Sequence, residues 1–187
     1  MTSISRDQAI GEIVAYLLAH LSPADRESQL LDWWSVDSDD AEYSRLPEYL
    51  RNEISSSIDS PANPTDPRYD PLLRMALEAQ FFGVLNTYLE KRLSALGSVV
   101  EVVGEPEPLE QCPCCGFHSL PHRSEYDVCS VCFWEDDGTT EPESRSSPNH
   151  MTLGEARENF ARVGAVAEAF VGNVVSDGKD RFPRGKL

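Results

Sequence analysis

Long apolar runs are missing from this sequence. No stretch approaches the roughly 18 uninterrupted apolar residues that a membrane-spanning helix needs. The opening residues, MTSISRDQAIGEIVAYLLAHL, also lack a basic flank, an apolar centre and a small-residue cleavage site. Arg6, Asp7, Glu12 and His20 interrupt them at helical spacing instead. The expectation is a cytoplasmic protein with no membrane partner, whose thiols stay reduced. Positive charge is scarce as well: 16 Lys and Arg stand against 32 Asp and Glu, a net charge of −16. Residues 1–110 hold 8 basic and 20 acidic side chains, and residues 111–187 hold 8 and 12. Affinity for nucleic acid rests largely on Lys and Arg displacing counterions from phosphates, so nucleic acid is not an expected partner. A basic protein is, although an acidic surface also serves solubility.

Catalytic signatures are absent too. The chain contains no H-E-x-x-H, no H-x-E followed by P-C-x-x-C, no P-loop and no G-x-S-x-G. Cysteine, finally, is missing before residue 112 and after residue 132; all five fall in between.

What is present begins with helices. Ser5 and Gln8 form a capping-box pair ahead of Ile10, Ile13, Val14, Leu17, Leu18 and Leu21, one face of a helix. Ser22-Pro23 gives an N-cap and first-turn proline for a second helix through ADRESQLLDWW. The acidic loop SVDSDDAEYS follows, and Pro47 opens a shorter helix through Ile54. DSPANPTDPRYDP reads as an irregular connection. Asp70-Pro71 then starts an apolar periodicity from Leu72 to Leu89, which predicts one long amphipathic helix ending near Gly97. Met75, Phe81 and Phe82 on it are expected as core. SVVEVV suits a short strand, and GEPEP a linker.

The cysteines make two C-x-x-C turns, Cys112/Cys115 and Cys129/Cys132, separated by 13 residues. A two-residue gap lets both sulfurs of a turn point at one ion, and two such turns supply four corners of a tetrahedron. Pro113 stiffens the first turn, and Gly116 permits the left-handed exit from it. Zinc is the expected metal. Iron on four thiolates and a pair of disulfides are the other readings of the cluster. Cys114 sits inside the first turn and is expected to point away from the metal; as a reactive thiol it lacks an obvious base. His118, His122 or His150 could replace a cysteine, but they have no regular spacing. Four thiolates leave no open coordination position, so the expected site is structural.

Phe133 and Trp134 follow the fourth cysteine and are expected to shield the metal. Glu135, Asp136 and Asp137 then read as an acidic turn, with too few oxygen ligands for Ca²⁺ or Mg²⁺. Thr152 and Glu155 form a capping box for a helix whose buried face is Leu153, Ala156, Phe160 and Val163. AVAEAFVGNVV suggests a further short helix, and SDGKDRFPRGKL a frayed tail.

CPCCG, YDVCSVCFWEDDG and PNHMTLGEARENF, in that order, resemble the bacterial Cys-rich CPCC family over residues 110–165. LLDWW, LPEYL and YLEKRL look like the helical extension of its longer members. The resemblance implies a small zinc-binding module with no established activity, loosely associated with immunity or accessory proteins of toxin systems.

The expected fold is α+β and mostly α. A helical domain (1–103) and a linker (104–110) precede a zinc-ribbon-like module with its following helix (111–175) and a tail (176–187). The expected function is non-catalytic: a zinc-binding protein, metal ligands Cys112, Cys115, Cys129 and Cys132, that binds a basic protein partner, in the manner of an immunity protein facing a toxin. Its partner-binding candidates are the exposed carboxylates Asp37, Asp39, Asp40 and Glu42. A transcription-associated zinc ribbon, and a redox protein using iron or Cys114, are the alternatives.

Overall fold

The computed structural model describes residues 2–40 and 42–187. It is α+β and mostly helical, and it divides into two compact units. The first comprises Met1–Phe82 with Leu89–Gly104, the second Gly83–Tyr88 with Glu105–Leu187. No helix among the described residues is long and apolar enough to cross a membrane.

The first unit opens with strand β1 (Thr2–Ser5) and helix α1 (Arg6–His20). The Ser5 side chain accepts the Gln8 N–H, capping α1 as its sequence suggests, but Gln8 turns its own side chain to Glu12. Ser22 likewise caps α2 (Pro23–Trp33). After α3 (Glu48–Ser56), the proline-rich connection is held by Arg26, whose Nε donates to Pro64 O at 2.8 Å and whose Nη2 meets Asp70 Oδ1 at 2.6 Å. Helix α4 (Asp70–Ala79) runs on from a 3-10 turn, Pro67–Tyr69, capped by Asp66. It packs on α1 and α2. Leu72, Leu73 and Met75 of α4 join Leu30, Leu50 and Ile54 in the core.

The single long helix predicted from residue 71 to 97 is two. The chain leaves α4 at Gln80, passes Gly83 at φ +67°, and resumes as α5 (Asn86–Ala95). Apolar periodicity continues across the break and hides it. Phe81 is buried, but Phe82, expected in the core, is half exposed. Beyond Gly97, strand β2 (Val100–Val103) pairs with β1 in parallel, a contact between segments 98 positions apart. The Glu90 carboxylate accepts the Val102 N–H.

In the second unit, β3 (Glu110–Gln111) and β4 (His118–Leu120) are antiparallel, as are β5 (Arg145–Ser146) and β6 (Met151–Thr152). Helix α6 (Leu153–Val163) has the predicted capping box between Thr152 and Glu155 and stops at Gly164, φ +82°. AVAEAFVGNVV is not a further helix: only a 3-10 turn, Glu168–Phe170, forms there, because Val166 N–H is drawn to Cys132 O and Val175 N–H to Ser130 O. The C-terminal residues are not frayed. They form α7 (Gly178–Arg181), bury Phe182 and bond back to His118 through Pro183 O. Residues 105–109 are no bare linker either. Glu107 accepts the Gly83 N–H at 2.9 Å, and a Cβ on Gly83 would collide with the Leu109 side chain.

Candidate metal centre

Two turns of the same design carry the cysteines. In the first, Cys112 N–H donates to Phe117 O and Gly116 N–H to Cys112 O. In the second, Cys129 N–H donates to Trp134 O and Phe133 N–H to Cys129 O. The residue after each second cysteine is left-handed: Gly116 at φ +78°, and Phe133 at φ +67°. Glycine takes that conformation freely, whereas a bulky side chain there is strained and must be held by its surroundings. Phe133 stacks on Phe170, ring centroids 4.7 Å apart, and Trp134 beside it is wholly buried.

The turns bring four buried sulfurs together, all within 4.8 Å of one another. Cys112 and Cys132 are 3.6 Å apart, as are Cys115 and Cys129. A tetrahedron with metal–sulfur bonds of about 2.3 Å has edges of about 3.8 Å, so the spacing suits one ion. It does not suit disulfides, whose sulfurs stand about 2.05 Å apart; all five cysteines are free. The Ser119 hydroxyl, also buried, lies 3.0 Å from Cys129 Sγ.

Four thiols this close cannot ionise independently. Contacts with Cys115 and Cys129 push the Cys112 thiol up, and burial foremost pushes up Cys132. Cys129 moves down: burial opposes its thiolate, but the neighbouring thiols and Ser119 outweigh that. A divalent cation would reverse the balance, because its charge favours every thiolate at once. The cluster could therefore hold a metal ion.

Cys114 stands outside this group of four. It is buried within the first turn. The histidines are placed elsewhere: His118 Nδ1 meets Leu109 O at 3.1 Å, His122 pairs with Asp127, and His150 is exposed.

Within Glu135–Asp137, the carboxylates of Asp136 and Asp137 are drawn inward. Asp136 is fully buried, taking Arg123 Nε and the Ser124 N–H at 2.7 Å each. Asp137 accepts from the Ser146 hydroxyl and from the Thr139 and Ser147 N–H groups. These outweigh the opposing effect of burial and hold its carboxyl below the usual range. Both carboxylates organise the loop that leaves the second cysteine turn. Their partners lie 9 to 13 positions away or in the backbone, so residue type alone does not reveal the role.

The acidic loop belongs to the first unit. Asp37, Asp39 and Asp40 are exposed and Glu42 is half-buried. The loop is turned on itself: Asp40 Oδ2 accepts the Asp37 N–H and Asp37 Oδ1 the Asp39 N–H.

Residues 110–180 match the family model described as Cysteine-rich CPCC. No curated protein and no solved structure matches the chain.

Proposed function

Starting from a chain that carries a Cysteine-rich CPCC segment, we propose that it is a non-catalytic zinc protein that acts by binding another protein. Cys112, Cys115, Cys129 and Cys132 hold one Zn²⁺ as thiolates. The observation that carries this reading is the closed set of four buried sulfurs at tetrahedral spacing. A catalytic zinc keeps one position for water, and four thiolates fill the coordination shell. The ion's work is then to fold. The strands beside the cysteine turns are two and three residues long, and a metal supplies cohesion that such short pairings do not. Zinc is favoured over iron as the commoner occupant of a small structural tetrathiolate site.

The partner is a basic protein, met by the acidic surface of residues 1–110, with the loop Asp37–Glu42 as the contact. A bacterial toxin, neutralised by this chain as an immunity protein, is the partner class we favour. Elemental analysis of protein purified without added metal tests the metal, with one zinc per chain expected. A stoichiometry near zero, or a red iron chromophore, overturns it. Co-purification from the native host at low salt tests the partner, with a basic protein expected that high salt releases.

A further inference from the structure

Residues 182–187 lie beyond the family match and fasten onto the first cysteine turn. Gly185 N–H donates to Gly116 O at 2.8 Å, and His118 N–H donates to Pro183 O at 2.9 Å. Between these bonds Phe117 and Arg184 face one another as an antiparallel bridge. Gln111 Nε2 donates to Lys186 O at 3.0 Å. The fit is close: a Cβ on Gly116 would stand 3.2 Å from Leu187 Cγ and 3.3 Å from Gly185 O.

Arg184 is the centre of this strap. Its Nε donates to the carbonyl of the ligand Cys115 at 3.1 Å, and its guanidinium lies over the Phe117 ring, 5.4 Å from the centroid. Arg157 of α6 makes the matching bond to Pro113 O at 3.0 Å. Two guanidiniums thus hold the peptide carbonyls of one C-x-x-C turn from outside. A divalent ion on four thiolates leaves a formal charge of −2 in a buried site, so cations fixed at its rim offset a charge that water cannot reach. Cation–π contact with the Phe117 and Phe160 rings keeps Arg184 in place.

We propose that residues 182–187 are an outer strap of the metal centre, and that Arg184 sets the rate at which the ion leaves Cys112 and Cys115. The proposal rests on the reading that the four cysteines hold a divalent ion. On this proposal the Gly116–Gly185 and Cys115–Arg184 bonds hold the turn that carries these two sulfurs, and their opening is the step that exposes the ion to a competing ligand. Arg184 is a positioning residue here: it touches the turn and not the ion.

The test uses the full chain loaded with one Zn²⁺, transferred to excess chromogenic chelator, with Arg184→Gln, Arg184→Lys and a deletion of 182–187 beside it. Outer-sphere partners of metal ligands are worth about 10- to 100-fold in affinity. Release from Arg184→Gln is accordingly expected to be about tenfold faster or more, with Arg184→Lys in between. Amide exchange in α6 should stay as in the unaltered chain, which separates strap opening from general loss of stability. Arg162→Gln, on an exposed side chain of the same helix, should not change the rate. If the deletion does not fold, Arg184→Gln decides alone. Unchanged release from Arg184→Gln with one zinc bound overturns the strap and leaves the metal site standing. Failure of the unaltered chain to bind Zn²⁺ overturns the reading beneath it.

Discussion

The Tyr88 hydroxyl donates to Asp177 Oδ2 at 2.5 Å, joining residues 89 positions apart within the second unit. Arg181 completes the group: its Nε meets Asp177 Oδ1 at 2.7 Å, its guanidinium covers the Tyr88 ring, and its carbonyl accepts the Leu85 N–H. The short segment Gly83–Tyr88 is thereby tied to the C-terminal end of the chain. Burial alone would raise the Asp177 carboxyl, but the Tyr88 hydroxyl and Arg181 outweigh it and hold it below the usual range.

A depressed folded-state value contributes stability above the unfolded value of about 3.9 and loses it as pH falls through the folded one. Asp177→Asn is expected to destabilise the second unit by about 1 kcal/mol at pH 7, a figure reduced for partial exposure. The difference should shrink as pH falls below about 4, where the unfolded-state carboxyl protonates first and the folded one only at lower pH. Denaturant titrations of both chains from pH 7 to 3 check this. A penalty that stays constant throughout would show that ionisation plays no part.

Cys132→Ser is expected to lose the metal and Cys114→Ser to keep it, because only the first belongs to the group of four sulfurs. Metal content per chain is the measurement. Loss of the ion should also remove amide protection from residues 110 onward, and chelation of the unaltered protein should do the same. Full metal content in Cys132→Ser would remove Cys132 from the ligand set.

The four sulfurs were legible because C-x-x-C chemistry is local: both ligands of a turn, and the glycine that ends the first, lie within five residues. Helix starts were legible for the same reason, since Ser5, Ser22 and Thr152 each cap a helix from the position just before it. What stayed hidden depends on distant partners. The strand at Thr2–Ser5 exists through β2, and the break between α4 and α5 sits at Gly83, which the Leu109 side chain crowds. The tail appeared frayed because Arg184 and Gly185 bond to a turn some 70 positions earlier.

Asp136 shows the same limit in one residue. It lies in a run of three acidic side chains that suggests solvent, yet it is fully buried against Arg123 and the Ser124 N–H. Arg123 keeps partial access to water, so removing Asp136 chiefly leaves the Ser124 N–H without its acceptor and the guanidinium without its counter-charge, which costs about 2 kcal/mol. Asp136→Ala should therefore destabilise the second unit by about that amount, whereas Glu143→Ala, at an exposed position of the loop that follows, should cost about 0.5 kcal/mol or less. Chemical denaturation of the two variants compares them directly. Similar small losses in both would return Asp136 to the status of a surface charge.

The acidic loop offers a way to separate charge from structure. Asp37 and Asp40 accept backbone N–H groups within the loop, so altering them disturbs its conformation as well as its charge. Asp39 is exposed and, among the described residues, lends its own N–H to that pattern, which makes Asp39→Lys, with Glu42→Lys beside it, the cleaner reversal. If a basic partner is steered to this surface, the double variant should associate about tenfold more slowly at low salt, with dissociation little changed. The deficit should fade as added salt shortens the Debye length below its physiological value of about 8 Å. Where the partner is a toxin, co-expression of the parent chain should restore growth, and the double variant should restore it less while keeping its zinc. Rescue and association rates untouched by the reversal would place the contact away from this loop, and rescue that failed on Cys114→Ser would point to thiol chemistry in place of electrostatic capture.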